Sequence, residues 1–380
     1  MHHLKSKLPS GDTTIFTVMS AFAREHNAIN LSQGFPDYDC PDELKRLVHH
    51  YIDDEKNQYA PMPGLPILRQ AIAQKVNKSY GCKMKQDNVV VTAGATQALF
   101  TMITALVHEG DEVIIFEPAY DSYVPSILLA GGIPVIYEMI APDFNIDWDQ
   151  VSSMVTDRTR MIIINSPHNP TGTILSHNDL LALQSIAIDH DLLVLSDEVY
   201  EHLVYDGFLH ESVLRYPDLI ERSMVVFSFG KTFHSTGWKM GYIVGPDALI
   251  QEFIKVHQWN VFCVNSFLQY ALADYLREEE NYEYLPQFYQ EKRDQLREGL
   301  EDCNLQALPC LGTYFQLYDY SSVNDLDDLA FAKWMTAEIG VASIPISVFY
   351  SSKRQDALIR LCFAKKPSTL SAAIQKLINI

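Results

Sequence analysis

Short apolar runs alternate with longer amphipathic stretches through the middle of the chain. The apolar runs predict β-strands over residues 88–92, 112–116, 133–137, 161–165, 192–195, 224–229 and 241–244. Between them, apolar positions spaced three and four residues apart predict helices over 97–108 and 178–189. Because strands that are apolar on both faces need helices on both sides, this pattern predicts a mainly parallel sheet covered by helices.

The two ends of the chain have a different pattern. A helix is predicted over 15–26, after a polar arm, and a charged, tyrosine-rich stretch over 275–302 predicts a long amphipathic helix with a break near Pro286. Strands are predicted over 312–318 and 358–364, and a helix over 326–339. We therefore predict an α/β protein with an N-terminal arm (1–16), a large domain (40–275) and a smaller α/β domain built from 17–39 and 276–380.

Composition narrows the class of partner. The 380 residues include 29 Lys and Arg against 48 Asp and Glu, a net charge of −19, which argues against nucleic acid or an anionic membrane as a partner. The six cysteines are far apart and no HxxxH or HExxH motif occurs, so we expect reduced thiols and no metal site. Neither a signal-peptide pattern nor a run of 18 apolar residues occurs, so we expect a cytoplasmic protein.

Polar residues directly follow five of the predicted strands, in the segments 94–96, 117–120, 165–172, 197–200 and 228–239. Since ligands bind at the carboxyl ends of strands in parallel α/β sheets, we expect these segments to meet at one edge. The turn at 94–96 offers backbone N–H groups for a phosphate. Tyr120 offers a face for a planar ring, Asp197 a partner for a protonated ring nitrogen, and Lys231 an amine for an aldehyde. Pyridoxal 5′-phosphate (PLP) has all four features, and a lysine and an aspartate are its usual protein partners.

Seven segments resemble the sequence motifs of the PLP-dependent fold-type I aminotransferases of class I/II. They are LSQGFPD (31–37), NQYAPMPG (57–64), VTAGATQAL (91–99), SPHNPTG (166–172), SDEVYEH (196–202), VFSFGKTFHSTGWKMGY (226–242) and IRLCFAK (359–365). They occur in the family's order and cover nearly the whole chain. Within the family, the sequence is similar to the kynurenine/glutamine aminotransferase branch and most similar to the bacterial methionine aminotransferases.

The resemblance implies a role for each matching residue. Lys231 would bind the cofactor covalently and move the substrate proton, Asp197 would pair with the pyridinium nitrogen, and Tyr200 would hydrogen-bond the ring oxygen. Arg360 would clamp the substrate carboxylate through two hydrogen bonds. The remaining implied contacts are to the ring (Tyr120 and Asn169), to the phosphate (Ala95, Thr96, Ser228 and Lys239) and to the substrate (Gly34 and Asn169).

Two further implied contacts depend on a homodimer. The residues that match Tyr59 and Phe262 reach the neighbouring subunit's site in this family, the first at the phosphate and the second at the substrate side chain. The resemblance therefore implies active sites that are shared across a homodimer.

The implied activity is transfer of an amino group from an amino acid to a 2-oxo acid by a ping-pong mechanism. The resemblance favours methionine as the donor, with aromatic amino acids as further donors. The candidate pocket residues Ile15, Phe16, Tyr120 and Phe262 are apolar or aromatic, which suits an uncharged side chain. No second arginine is evident for a dicarboxylate.

Two alternatives stay open. One is a kynurenine/glutamine-type aminotransferase with β-lyase activity on cysteine conjugates. The other is a non-catalytic regulator with the PLP fold. We consider the regulator remote, since residues 1–30 are too short for a DNA-binding domain and the net charge is −19.

Overall fold

The computed structural model describes residues 6–8 and 13–380, so part of the predicted arm (1–5 and 9–12) lies outside the described residues. The strands of the described chain are β1 (Ile29–Asn30), β2 (Val89–Thr92), β3 (Glu112–Glu117), β4 (Ile133–Glu138), β5 (Thr159–Asn165), β6 (Leu193–Asp197), β7 (Ser223–Ser228), β8 (Gly241–Val244), β9 (Gln306–Ala307), β10 (Phe315–Asp319), β11 (Val341–Ala342), β12 (Ile344–Pro345) and β13 (Leu358–Cys362).

The α-helices of the described chain are α1 (Ile15–Glu25), α2 (Asp42–Asp53), α3 (Pro66–Tyr80), α4 (Ala95–Leu106), α5 (Tyr123–Ala130), α6 (Trp148–Ser153), α7 (His177–Asp189), α8 (Pro217–Ile220), α9 (Phe229–Thr232), α10 (Asp247–Asn260), α11 (Ser266–Tyr275), α12 (Glu280–Glu283), α13 (Leu285–Gly299), α14 (Asp328–Trp334) and α15 (Pro367–Leu377).

The larger sheet has the strand order β2-β8-β7-β6-β5-β3-β4. Strands β4, β3, β5, β6 and β7 run parallel, whereas β8 is antiparallel to both of its neighbours. Every residue of β2, β3, β7 and β8 is buried, as strands with covered faces should be. The predicted α/β class with a mainly parallel sheet is therefore confirmed.

The crossovers of the larger sheet reverse direction between β3 and β5, which are neighbours. The chain passes from β3 to β4 on one side, and from β5 to β6 on the other. Such a reversal opens a crevice at the carboxyl ends of the two strands on either side of it, which is the usual ligand site of open α/β sheets.

A second, antiparallel sheet has the order β12-β13-β10-β9. The N-terminal segment returns to this part of the chain, because β1 pairs in parallel with β11, with Ile29 opposite Val341. The domain boundaries predicted at 1–16, 17–39, 40–275 and 276–380 stay a prediction.

Several of the predicted helices have different bounds in the structure. The helix predicted over 326–339 is α14 followed by a π-helical turn, Met335–Ile339. The stretch 275–302 is not one long helix but the end of α11, the single turn α12 and the helix α13. The break predicted near Pro286 is confirmed, since α12 ends at Glu283 and α13 begins at Leu285. Pro286 itself lies in the first turn of α13, where its missing N–H costs nothing. The helix predicted over 97–108 begins two residues earlier, at Ala95, which places the predicted phosphate contacts in its first turn.

No helix in the described part of the chain is both long enough and apolar enough to cross a membrane.

Candidate active site

A cavity of about 460 Å³ lies where the polar strand ends meet. All the predicted site residues except Ile15, Tyr59 and Phe262 line it, namely Phe16, Gly34, Ala95, Thr96, Tyr120, Asn169, Asp197, Tyr200, Ser228, Lys231, Lys239 and Arg360. The structure therefore brings together residues that are up to 344 positions apart, between Phe16 and Arg360 (360 − 16).

The N-terminus of α4 forms one end of the cavity. Gly94 precedes this helix with φ of 78°, in the left-handed region that glycine adopts without strain, and no side chain caps the helix. The ammonium group of Lys239 lies beside Gly94: its Nζ would be 3.5 Å from a Cβ atom added to Gly94. Thr96 Oγ1 is 3.1 Å from the hydroxyl of Tyr120. Uncapped N–H groups and a lysine cation make this end suitable for a phosphate.

Asp197 ends strand β6 and is buried, with 4% of its surface exposed. Burial raises the pKa of this carboxyl group to about 6, although the hydroxyl of Tyr123 opposes the shift by donating a 2.7 Å hydrogen bond to Oδ2. The carboxylate is thus held in one orientation at the floor of the cavity by a neighbouring helix, α5.

Lys231 lies in the one-turn helix α9, directly after β7. Burial lowers the pKa of its amine to about 8. Its Nζ donates a 2.9 Å hydrogen bond to the hydroxyl of Tyr314 and lies 3.5 Å from the carbonyl oxygen of Gly34. The aromatic ring of Tyr200 is 5.6 Å from the same nitrogen. An amine with a lowered pKa is a better nucleophile and base near neutral pH.

Arg360 lies in the middle of β13 with 1% of its surface exposed. Its Nη1 donates a 2.7 Å hydrogen bond to Oδ1 of Asn169, and its guanidinium carbon stacks 3.8 Å from the ring centre of Phe315. Burial lowers the pKa of Arg360 to about 10. Its Nε has no hydrogen-bond partner among the described residues. A buried guanidinium with a donor to spare suits a carboxylate ligand.

The charged residues that line the cavity are Lys231, Lys239, Arg360 and Asp197. This excess of cations favours an anionic ligand even though the whole chain carries a net charge of −19. Among the described residues, no group of three His, Cys, Asp or Glu side chains is arranged to hold a metal ion.

Tyr59 and Phe262 lie outside the cavity wall. Tyr59 is 84% exposed and Phe262 47% exposed, and their rings pack edge to face with centroids 5.4 Å apart. Ile15, a further candidate for the substrate pocket, is absent from the lining too. These residues contribute nothing to the cavity of a single chain.

Sequence reasoning missed three residues of the site. Tyr123 holds Asp197, Tyr314 contacts Lys231, and Phe315 stacks on Arg360. Tyr123 lies three residues after Tyr120, on the helix that follows it, which was a weak signal. The dipeptide at 314–315 has no signal in the local pattern, because a buried aromatic pair at the start of a strand is typical of any core.

The sheet order and the cationic cavity at its carboxyl edge are typical of α/β enzymes with small anionic ligands. Comparison with known proteins identifies the family. The family model "Aminotransferase class I and II" matches residues 26–377, and the chain belongs to this family.

Individual relatives match along nearly their whole length. The methionine aminotransferase of Escherichia coli (strain K12) is 52% identical over 375 residues, 98% of this chain and 97% of the relative. The crystal structure of YbdL from Escherichia coli, reported with a methionine aminotransferase function, superposes with a TM-score of 0.98 at 51% identity and covers both chains fully. Human kynurenine–oxoglutarate transaminase 1 is 35% identical over 93% of each chain.

Proposed function

We propose that this aminotransferase moves the amino group of methionine, and less readily of aromatic amino acids, to a 2-oxo acid. The observation that carries the proposal is that one cavity holds an amine of lowered pKa, a buried carboxyl group and a buried guanidinium, contributed by Lys231, Asp197 and Arg360. Transamination needs all three, since Lys231 can move the Cα proton, Arg360 can bind the substrate carboxylate, and Asp197 can pair with the ring nitrogen of the cofactor.

Class I and II aminotransferases use PLP, and the residues of the cavity fit that cofactor. The uncapped N-terminus of α4 with Lys239 suits the phosphate, and the orphaned guanidinium Nε of Arg360 leaves room for a substrate carboxylate. We infer that Ala95, Thr96, Ser228 and Lys239 hold the phosphate, that Tyr120 stacks on the ring, and that Asn169 and Tyr200 contact its oxygen. The chemistry the cofactor supplies when bound is an electrophilic carbon and an electron-accepting ring.

Three residues of this chain would act on the substrate and the cofactor in different ways. Burial lowers the pKa of Lys231, which favours the neutral amine that can take the Cα proton onto Nζ. The carboxylate of Asp197 can stabilise a protonated ring nitrogen by its charge. Arg360 orients the substrate by its carboxylate, with Gly34 and Asn169 beside it.

The preference for methionine rests on the apolar part of the cavity and on the relatives. Phe16, Phe35 and Leu99 line the cavity. Among the described residues Arg360 is its one arginine, so no second arginine is there to bind a second substrate carboxylate. We expect kcat/KM for methionine to exceed that for aspartate by about a hundredfold or more, because an unpaired buried carboxylate is costly. Steady-state assays with one common 2-oxo acid measure both values, and a higher value for aspartate would overturn the preference.

Absorbance spectra test the chemistry directly. The absorbance of the bound cofactor should change on adding methionine and return on adding a 2-oxo acid. Lys231→Ala should still bind the cofactor but lose turnover by about a thousandfold or more, whereas Lys333→Ala, an exposed lysine on α14, should be unaffected. Turnover near the wild-type rate in Lys231→Ala would contradict the role of Lys231.

We also propose a homodimer with shared active sites. The exposed aromatic pair Tyr59 and Phe262, together with the 84% exposed Trp259, supports an interface on this side of the molecule. Sedimentation equilibrium should give twice the 43.2 kDa mass of the chain, and a monomer would contradict the proposal. The cytoplasmic location stays a prediction.

A further inference from the structure

Tyr314 lies against the reacting nitrogen of Lys231 although no motif predicted it. Its side chain has no exposed surface and directly precedes strand β10. Its hydroxyl oxygen is 2.9 Å from Lys231 Nζ and 2.5 Å from the carbonyl oxygen of Gly34. The three groups therefore form a chain of hydrogen bonds from the catalytic amine to the loop that carries Gly34.

The direction of each hydrogen bond in this chain is fixed by proton counting. A carbonyl oxygen can only accept, so the single proton of the Tyr314 hydroxyl is used on Gly34. Toward Lys231 the phenol oxygen can then only accept, and Nζ must donate. An N–H bond of the amine is thereby directed at Tyr314, which turns the lone pair of a neutral amine away from that residue.

The surroundings hold this arrangement in place. The ring of Tyr314 packs edge to face on Tyr200 with centroids 5.1 Å apart, and Lys231 Nζ is 5.5 Å from one ring centre and 5.6 Å from the other. Thr313, just before Tyr314, has φ of 68°, a conformation that β-branched residues rarely adopt. Such outliers concentrate at functional sites, where the neighbouring structure enforces them.

The loop that carries Gly34 is bound to the substrate arginine as well. Arg360 Nη2 lies 3.4 Å from the carbonyl oxygen of Ser32, two residues before Gly34. A side chain at Gly34 would collide with Phe315, since its Cβ would lie 2.9 Å from Cζ of that ring. The same short loop thus contacts Arg360, which we assign to the substrate carboxylate. Through Tyr314 it also contacts Lys231, which we assign to the Cα proton.

We propose that Tyr314 is a positioning residue for Lys231. The phenol oxygen of Tyr314 accepts a hydrogen bond from the free amine of Lys231, while the phenol proton is donated to the carbonyl oxygen of Gly34. The lone pair of the amine therefore faces the substrate. This inference rests on the proposed function, because it assumes that Lys231 takes the Cα proton. It predicts that the hydroxyl matters for proton transfer and much less for substrate binding.

The test replaces Tyr314 by Phe, which removes one oxygen and keeps the ring. In single-turnover reactions of the holoenzyme with methionine, we expect proton transfer to slow about tenfold or more, with KM changed less than about threefold. The kinetic isotope effect with α-deuterated methionine should rise, because the slowed step becomes more rate-limiting. The matched control is Tyr318→Phe, a buried tyrosine on β10 whose hydroxyl has no hydrogen-bond partner among the described residues.

A second measurement needs neither cofactor nor turnover. In the cofactor-free protein, the pH dependence of acylation at Lys231, followed by mass spectrometry, reports the midpoint of its titration. Removing an acceptor from the ammonium should move this midpoint to lower pH by about half a unit or more in Tyr314→Phe, and not in Tyr318→Phe.

The possible outcomes separate the two proposals. Unchanged proton transfer, isotope effect and midpoint in Tyr314→Phe would overturn the inference, as would equal changes in Tyr318→Phe. If wild-type protein fails to exchange with methionine, the proposed function fails, whereas the midpoint shift still tests the contact between Tyr314 and Lys231. Should Tyr314→Phe not fold, Tyr314→Met fills a similar volume without the acceptor and must give the same shifts.

Discussion

At the scale of single residues, burial shifts the two central titratable groups of the site in opposite directions. It raises the pKa of Asp197 to about 6 and lowers that of Lys231 to about 8. In both cases the charged form loses hydration that the protein only partly replaces. The buried charges of the site therefore lower the stability of the cofactor-free protein. A ligand with complementary charges would offset this loss of stability.

The pH dependence of stability should report the buried charge of Asp197. Because its pKa rises from 3.8 to about 6 on folding, the folded protein binds this proton more tightly than the unfolded chain does. The penalty is therefore absent below pH 3.8 and complete above pH 6. A shift of about two units corresponds to about 3 kcal/mol as an upper value. We expect cofactor-free Asp197→Asn to be more stable than wild type at pH 7 by about 1–3 kcal/mol, and by little at pH 4.

Urea unfolding of the cofactor-free proteins at both pH values measures this difference. Asp302→Asn, at an exposed position, is the control and should change the free energy of unfolding by less than about 0.5 kcal/mol at either pH. A destabilised Asp197→Asn at pH 7 would contradict the assigned penalty.

At the scale of elements, the site depends on how closely α4 approaches the edge of the larger sheet. Gly241 begins β8 and pairs with both Thr92 and Ser228. A Cβ on Gly241 would lie 2.8 Å from the carbonyl oxygen of Phe227 and 3.1 Å from the backbone nitrogen of Ala95. Only glycine therefore lets the first turn of α4 sit against the sheet, beside Lys239.

Gly241→Ala should push the N-terminus of α4 away from the sheet. We expect a loss of about 1–3 kcal/mol in the free energy of unfolding and about a tenfold or greater loss of PLP affinity, since the N–H groups of that turn would no longer converge. Denaturant unfolding and fluorescence titration with PLP measure the two effects. Gly237→Ala, where a Cβ meets nothing within 4 Å, should leave both unchanged, and similar losses in the two variants would rule out the packing explanation.

At the scale of the whole molecule, a buried ion pair joins distant parts of the chain around the site. Lys75 on α3 contacts the carboxylate of Glu201, which follows β6, and both side chains are 3% exposed. The hydroxyls of Tyr80 and Tyr242 also reach Glu201, the latter at 3.3 Å. Burial raises the pKa of Glu201, but Lys75, His202 and the hydrogen bond from Tyr80 outweigh it and lower the pKa to about 2. Helix α3, strand β8 and the segment that carries Tyr200 are therefore tied to one carboxylate.

Breaking this pair should destabilise the fold more than removing its charge altogether. We expect Lys75→Met to lower the free energy of unfolding by about 3–5 kcal/mol, because it leaves Glu201 buried without a cation. Adding Glu201→Gln, which keeps an acceptor for the two tyrosines, should recover much of that loss. A double-mutant cycle measured by guanidinium unfolding tests both, and independent, additive effects would contradict the assigned coupling.

The sequence by itself determined the α/β class, the strands of the larger sheet and the family, because apolar runs and local motifs are encoded in neighbouring residues. It also predicted the three charged residues of the site: Lys231 and Asp197 follow predicted strands, and the resemblance of the segment 359–365 to the family implied Arg360. Only the tertiary structure decided what touches them. Tyr314 meets Lys231 across 83 positions and Tyr123 meets Asp197 across 74, contacts that no local pattern encodes. The exposed positions of Tyr59 and Phe262 likewise depend on which surfaces the packed chain leaves uncovered, and burial, which shifts each pKa, exists only once the chain has folded.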